Sequence, residues 1–390
     1  MAKSAGKERM KQRWLQGLVA LVLGCVAAFF MAEGLVLLFY GEQPKFPRHV
    51  VEAPWGLRYN DPGSKYRHKS ADGTWWFRIN RQGMRDDRDF SYEKPDGMKR
   101  IISLGDSFTI GYEVDVDQTF SAVLERELQK AGHDVEVLNA GVSGFSNAEE
   151  ALYLERELLK YDPDLVVLSF YSNDLTDNAR TGLFRMKDGN LQEVAETYIP
   201  AGPVGNFLNR SWFFNLLSER SNAFVFIKER ATLIVKAEIV RANQQTLRDD
   251  QQAETARDRV YDSPKSSSQL PTEQSNSKRQ LADAILQRTY EQLRQRTIPF
   301  IIQSIPTKTE GGLVDSFLAG EFDLKQPGFY FVSMRDHLLP YIGREQLYWE
   351  RSHRHWTPFT HDKSGRALAD LILEEQLLEP ETRDVHPTDN

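Results

Sequence analysis

Four short polar segments of the sequence carry the residue types that acyl transfer to a serine requires. Ser107 is a candidate nucleophile, a glycine-rich turn runs over residues 139–144, Asn173 supplies a side-chain amide and His355 an imidazole. A hydroxyl, a general base and hydrogen-bond donors for an oxyanion are the components of such a reaction. The sequence therefore predicts serine-dependent acyl chemistry, provided that the fold brings these segments together.

The elements around these segments predict an α/β fold. Short runs of Val, Ile and Leu that alternate with helices of about 13 residues are typical of βαβ units and of a parallel sheet buried on both faces. The predicted strands are 100–104, 135–139, 165–170 and 299–306, and the predicted helices are 119–131, 148–160, 279–295 and 365–377. Ligands bind such a sheet at the carboxyl ends of its strands, which is where the first three polar segments lie.

Four sequence blocks carry a family resemblance. The blocks are GDSFTIG at 105–111, NAGVSGFS at 139–146, YSND at 171–174 and HWTP at 355–358. In type, order and spacing they resemble the SGNH (GDSL-type) hydrolase superfamily, over about residues 99–180 and 299–378. The resemblance implies a three-layer α/β/α domain with a mostly parallel, flavodoxin-like sheet.

The same resemblance assigns roles to individual residues. Ser107 would be the nucleophile, and His355 would be the general base that takes its proton. The backbone N–H groups of Ser107 and Gly144 and the side-chain amide of Asn173 would form the oxyanion hole. No metal or organic cofactor is implied. Taken alone, each block also fits a structural role, because Asp and Ser cap helices and glycines form tight turns.

The acid that should orient His355 is missing from its usual place. Relatives carry an aspartate two or three residues before the histidine, and this chain has Ser and His at 352–353. The candidate replacements or alternative bases are Glu350, His353, His361 and Asp362. Glu350 would fold back, a backbone carbonyl would hold the ring, or His361 beside Asp362 would be the working base. A fourth alternative is a weakened enzyme, because the acid holds the imidazole tautomer and stabilises imidazolium.

Composition and charge exclude several other classes of protein. The 390 residues are 40% hydrophobic and 27% charged, which is ordinary for a globular chain. One cysteine excludes both a disulfide framework and zinc sites built on paired thiolates. The formal net charge of −7 argues against a nucleic-acid partner. A zinc site from His353, His355 and His361 would match no common ligand spacing.

Residues 18–40 predict a transmembrane helix that contacts the lipid bilayer. Glu33 is their only charge, and 23 residues at about 1.5 Å each exceed a hydrocarbon core of about 30 Å. A cleaved signal peptide would have a shorter apolar core. The tail 1–17 is basic, so the positive-inside rule keeps it in the cytoplasm. We expect the anchor to lie in a bacterial inner membrane, with the main domain in the periplasm or outside the cell.

The rest of the chain divides into four predicted parts. Residues 41–98 are expected to form a juxtamembrane stalk with short strands and turns, and 99–378 the catalytic domain. An insertion at about 181–278 interrupts that domain as a lid, a membrane-facing pad or extra core. Within it, 263–277 is polar enough to predict disorder. Residues 379–390 form a polar tail.

These observations predict a membrane-anchored serine esterase or acyl hydrolase. Its substrate would be an envelope lipid, a glycan or a small acyl ester, attacked through an acyl-serine. Two alternatives remain open at this point. One is O-acetyl transfer to a polysaccharide, because transferase relatives share the His-Trp block. The other is an SGNH-fold scaffold or binding module with weakened catalysis, which the missing aspartate favours.

Overall fold

The N-terminal helix α1 (Ala2–Tyr40) contains the predicted span. Within it, Met10–Tyr40 is long and apolar enough to cross a membrane, a property that membrane spans and signal sequences share. The computed structural model describes residues 2–47, 49–198, 207–208, 211–232, 234, 270–317, 322–352 and 354–379. The predicted tail 379–390 lies outside the described residues, except for Glu379.

Two antiparallel hairpins follow α1. The first pairs β1 (Val50–Glu52) with β2 (Arg58–Asn60). The second pairs β3 (Lys65–Lys69) with β4 (Thr74–Arg78). The turn between β3 and β4 contains Asp72-Gly73, as turn chemistry in the sequence indicates.

A five-stranded parallel sheet forms the centre of the fold, which confirms the predicted α/β class. Its strands are β5 (Lys99–Leu104), β6 (Val135–Asn139), β7 (Leu165–Phe170), β10 (Phe300–Ser304) and β13 (Phe329–Ser333). Their spatial order is β13-β10-β7-β5-β6, and every neighbouring pair is parallel. The order reverses between β5 and β7, so a crevice is expected at the carboxyl ends of these strands.

Helices cover both faces of the sheet. One layer contains α2 (Phe120–Lys130) and α9 (Pro358–Glu374), and the other contains α3 (Asn147–Arg156) and α7 (Leu270–Arg294). Neighbouring strand residues point to opposite faces, so Ile101 packs in the α2 and α9 layer and Ile102 in the other. Both side chains are fully buried, which explains the continuous apolar runs in the sequence.

Most predicted elements of the sheet domain are present, with differences at their ends. Strands β6 and β7 have the predicted bounds, whereas α9 begins seven residues before the predicted helix, at Pro358, because proline is favoured in the first turn. Helix α7 begins at Leu270, within the run 263–277 for which the sequence predicts disorder, and the disorder stays a prediction. The first part of that polar run, 263–269, lies outside the described residues. The sequence analysis missed β13.

The region predicted as an insertion contributes further elements. These are the hairpin of β8 (Phe184–Lys187) and β9 (Asn190–Glu193), α5 (Trp212–Arg220) and α6, a helix over residues 222–232. They follow α4 (Asp174–Thr181), which ends where the predicted insertion begins. After β10, the chain adds the hairpin of β11 (Thr307–Thr309) and β12 (Gly312–Val314), and α8 (Met334–Leu338) follows β13.

Residues 41–98 do not form a separate stalk, which corrects the sequence-based expectation. Their aromatic side chains, Phe77 among them, form a small core with Ile110 and Tyr112 of the loop after β5. Full burial of one such side chain stabilises the fold by about 1.5–3 kcal/mol. The Arg85 guanidinium is buried and donates to the Ile110 and Val114 carbonyls, each at 2.6 Å. This region is therefore part of the domain that carries the site.

Candidate active site

Ser107 lies in the turn that follows β5, at the carboxyl edge of the sheet. The turn is closed by a hydrogen bond from the Tyr112 N–H to the Ser107 carbonyl, 3.0 Å long. Gly105 allows this geometry, because a Cβ there would lie 2.1 Å from Thr109 Oγ1. A side chain at Gly105 would displace the turn and, with it, the hydroxyl of Ser107.

His355 meets Ser107 directly. Its Nε2 lies 2.9 Å from Ser107 Oγ, although the two residues are separated by 248 positions in sequence. The imidazole is nearly buried and packs against the rings of Phe108 and Tyr112, with centroids 5.1 and 5.0 Å away. These contacts fix the ring plane, so Nε2 is placed to accept the hydroxyl proton of Ser107.

Glu113 is the carboxylate that the sequence analysis missed. Its Oε2 lies 3.3 Å from Nδ1 of His355, and the side chain is fully buried. Ser70 Oγ donates to the other carboxylate oxygen at 3.3 Å, and Trp349 Nε1 donates to the Glu113 carbonyl at 3.0 Å. The residue has φ 65°, a conformation that is rare outside glycine and that concentrates at functional sites.

A local signal for Glu113 exists in the sequence. Glu113 lies between Tyr112 and Val114, six residues after Ser107, and is the single charge between Ser107 and Val114 in the sequence. A charge in such a buried stretch needs a partner. Glu113 and His355 are 242 positions apart, so spacing relative to the histidine does not identify this acid.

The other proposed orienting groups and bases lie elsewhere in the structure. The Glu350 side chain is 67% exposed and pairs with Lys308 at 3.2 Å rather than with the His355 ring. Asp362 pairs with Arg366 one helical turn away. His353 lies outside the described residues.

His361 is a structural histidine, which corrects the alternative in which it is the base. It is fully buried, and its Nδ1 accepts the Phe120 N–H at 3.1 Å, which caps the start of α2. Burial lowers the pKa of His361 to about 3, with smaller contributions from Arg85 and His355. The ring is therefore neutral near pH 7, and its Nδ1 is already engaged by the backbone.

Two backbone N–H groups of the predicted oxyanion hole have no acceptor among the described residues. These are the amides of Ser107 and Gly144. Asn173, at the start of α4, donates from Nδ2 to Asp177 at 3.3 Å, which leaves a second amide hydrogen. The role of these three groups in binding an oxyanion stays a prediction.

The Arg58 side chain forms hydrogen bonds with the loop that contains Gly144. Its guanidinium donates to the Ser143 carbonyl at 3.3 Å and to the Gly144 carbonyl, and it pairs with Glu149 at 2.8 Å. Gly144 has φ 76°, which glycine adopts without strain. Since Arg58 belongs to β2, the region before the sheet positions one side of the site.

Three carboxyl groups near Ser107, those of Asp106, Glu150 and Asp174, are buried. Burial raises the pKa of Asp106 to about 6, against the hydrogen bond from the Phe108 N–H. Asn147 Nδ2 donates to Glu150 at 3.0 Å and to Asp174 at 3.3 Å. Burial also raises the pKa of both these carboxyls well above their usual range. Burial therefore favours the protonated forms of Glu150 and Asp174 in the folded protein.

Comparison with curated proteins finds partial similarity to two esterases. The chain is 30% identical to an arylesterase of Vibrio mimicus over 76 residues, which are 20% of this chain and 38% of that protein. It is 31% identical to the esterase TesA of Pseudomonas aeruginosa over 93 residues, 24% of this chain and 43% of that one. The chain thus spans less than half the length of the curated relatives that it matches.

Solved structures show weak overall similarity. A crystal structure of TesA has a TM-score of 0.36 and 13% identity, with 72% of this chain and 99% of that chain covered. The lipase Lip_vut3 from a goat rumen metagenome has a TM-score of 0.36 and 11% identity, with 70% and 96% covered. TM-scores of this size carry no argument about function.

A family model gives the broadest match. The model of the GDSL-like lipase/acylhydrolase family matches residues 103–316, more than half of the chain. This range begins within β5 and contains Ser107, Glu113, Gly144 and Asn173. The predicted resemblance is confirmed: the chain belongs to the GDSL-like lipase/acylhydrolase family.

Proposed function

We propose that this protein is a membrane-anchored serine esterase that cleaves an ester bond through an acyl-serine intermediate. The observation that carries the proposal is the continuous chain of contacts from Ser107 through His355 to Glu113. Membership of an acylhydrolase family and partial similarity to two esterases support the same reaction class.

In the proposed mechanism each group of the site has one role. Ser107 Oγ forms a bond to the ester carbonyl carbon while its proton moves to His355 Nε2. Glu113 Oε2 accepts the hydrogen on Nδ1, which fixes the tautomer and stabilises the imidazolium. The Ser107 and Gly144 amides and Asn173 would bind the oxyanion. The leaving alcohol takes the proton from Nε2, and a water molecule, activated by the same nitrogen, then releases the acid and frees Ser107.

Contacts between α1 and the domain support permanent anchoring rather than removal of a signal peptide. The Glu33 carboxylate accepts the Asn222 and Ala223 N–H groups at 3.0 and 3.1 Å, and the Tyr40 ring lies 4.4 Å from that of Phe226. Cleavage after the apolar segment would remove these partners. The basic residues before the span favour a cytoplasmic N-terminus and a catalytic domain on the opposite side of the membrane.

Glu113 also bears on the alternatives. A scaffold with weakened catalysis was favoured by the missing aspartate, and that reason disappears when another buried carboxylate contacts His355. Transfer to a sugar hydroxyl would proceed through the same acyl-serine, so the site residues do not separate it from hydrolysis. Competition between acceptor sugars and water in product analysis distinguishes the two reactions.

The test is hydrolysis of short-chain aryl esters by the full chain in detergent, beside the Ser107→Ala and His355→Ala variants. We expect activity in the parent and a loss of at least about 10³ in kcat in either variant. A fluorophosphonate probe should label the parent at Ser107 and leave Ser107→Ala unlabelled. A folded parent with no more activity or labelling than Ser107→Ala would refute the proposal.

A further inference from the structure

The helices α5 and α6 expose a row of large apolar side chains. Trp212, Phe213 and Leu216 lie on one side of α5, while Ser218 on the opposite side is buried. On α6 and just beyond it, Ile227 and Ile234 lie two helical turns apart and are each 64% exposed. We call this set the docking face: Trp212, Phe213, Leu216, Ile227 and Ile234.

The docking face is attached to α1 through the start of α6. Glu33 is the only charge between residues 18 and 40, and its carboxylate accepts hydrogen bonds from the Ser221 hydroxyl and from the first two N–H groups of α6. The N-terminus of a helix attracts negative charge, so this contact satisfies a carboxylate within an apolar segment. It also fixes α6 against α1.

A second contact ties α6 to the outer end of α1. Phe226 packs against Tyr40, and the Arg230 guanidinium lies 3.3 Å from the centre of the Phe226 ring and 5.4 Å from that of Tyr40. Glu33 and Tyr40 are seven residues apart, so the two contacts lie about 10 Å apart along the helix axis. Both contacts lie within the last two turns of α1, so they hold α6 beside the C-terminal end of that helix.

We propose that the docking face binds the outer surface of the bilayer that α1 spans; this inference rests on the membrane anchoring proposed above. Trp212 and Phe213 suit the level of the lipid headgroups, where aromatic rings are enriched. The exposed cations Arg220 and Arg230 flank the apolar residues, and residues 211–232 carry three basic side chains against two acidic ones although the whole chain is acidic. Cations beside an apolar face favour phosphate headgroups over another acidic protein surface.

The attachment to α1 argues for lipid as the occupant. The two contacts described above fix the position of the docking face relative to the outer end of α1. If α1 spans the bilayer, the docking face is held beside the lipid headgroups without a further binding step. The covalent connection to α1 then keeps the docking face at a high local concentration beside the membrane.

The test uses the full chain in vesicles of phosphatidylcholine and phosphatidylglycerol. Nitroxide labels are placed at Phe213→Cys and Ile227→Cys in a Cys25→Ser background, and collisions with oxygen and with a water-soluble nickel complex are compared. Tyr92→Cys is the control, because Tyr92 is exposed and its carbonyl is bound by Arg100, at the opposite end of the sheet. A label on the natural Cys25 reports whether α1 itself lies in lipid.

We expect oxygen collisions to dominate at positions 25, 213 and 227, and nickel collisions to dominate at 92. Lipid contact at 25 with nickel access at 213 and 227 would overturn the docking proposal and leave the anchoring intact. Nickel access at 25 would overturn the anchoring itself. Low collision rates with both reagents at 213 and 227, in vesicles and in detergent, would show that protein covers the face, from residues 235–269 or from a second copy. That result would also overturn the proposal.

Discussion

Oε2 of Glu113 contacts Nδ1 of His355 at 3.3 Å from within the same loop that carries the nucleophile. Ser107 and Glu113 are six residues apart, and the imidazole lies between their side chains. One loop therefore supplies both side chains that contact the imidazole, and the segment around His355 supplies only the ring between them. This arrangement explains how the chain dispenses with an aspartate before the histidine.

Replacing Glu113 by glutamine tests this relationship. The amide keeps the shape but removes the charge that stabilises the imidazolium, so kcat for aryl ester hydrolysis should fall by about 10²–10⁴. Glu350→Gln is the matched control. Glu350 forms an exposed ion pair with Lys308 that does not contact the site, and such a pair contributes about 0–1 kcal/mol to stability. Equal losses in the two variants would mean that Glu113 has no special role.

Substitution of His361 should lower the stability of the protein, whereas substitution of His355 should lower its activity. His361→Ala leaves the buried Phe120 N–H without an acceptor and opens a cavity, so we expect a loss of about 2–4 kcal/mol in unfolding free energy. At temperatures where the His361→Ala variant is folded, its kcat should stay within about twofold of the parent. His361 does not contact the reacting atoms, so it does not stabilise the transition state.

The matched variants sharpen that comparison. His361→Asn retains an acceptor near Nδ1 and should recover part of the stability, whereas His355→Asn should lose activity with little change in the thermal midpoint. If His361→Ala abolished turnover while the protein stayed folded, His361 would have to be reconsidered as the base.

Arg58→Lys tests how the Gly144 loop is held. The Arg58 guanidinium makes four hydrogen bonds, two to the Glu149 carboxylate and one to each carbonyl. A lysine has three N–H donors on one nitrogen and cannot reproduce this spaced set, so the Gly144 amide should shift. Removal of one oxyanion donor costs about 10²–10³ in kcat, and a shifted donor should cost about tenfold or more. Arg78→Lys is the control, since Arg78 forms an exposed pair with Asp87 at 3.3 Å. A change confined to KM, or equal effects of both variants, would contradict this role.

The buried carboxyls Glu150 and Asp174 predict how stability depends on pH. Burial raises both pKa values, so the folded state favours their protonated forms. Their stabilising contribution is complete below the unfolded pKa, about 4, and is lost as the pH rises through the raised values. Because the lowered pKa of His361 makes stability rise with pH up to about 6.5, the thermal midpoint should decline only above that pH, toward alkaline values.

Glu150→Gln should flatten that dependence. It removes one of the two charges around Asn147 and should make the protein more stable than the parent at pH 8, with little difference at pH 4. Differential scanning calorimetry from pH 4 to pH 8 measures how the thermal midpoint changes with pH in the parent and in the variant. A variant that is less stable than the parent at pH 8 would show that Glu150 is stabilising as a carboxylate.

The sequence by itself determined the elements whose signals are local. Continuous apolar runs gave β6 and β7 their bounds, and the residues after the strands identified Ser107, Gly144 and Asn173 as candidates. Parallel strands place their carboxyl ends at one edge, so their proximity follows from the pattern alone. Family membership followed from the same short blocks.

Only the tertiary structure decided the partners that are distant in sequence. The choice between His355 and His361 depended on which ring reaches Ser107 and which one caps α2. Glu113, which contacts His355, also accepts hydrogen bonds from Ser70 and Trp349, which are far apart in the sequence. Such contacts leave no periodic trace in the sequence, because each depends on how whole elements pack against one another.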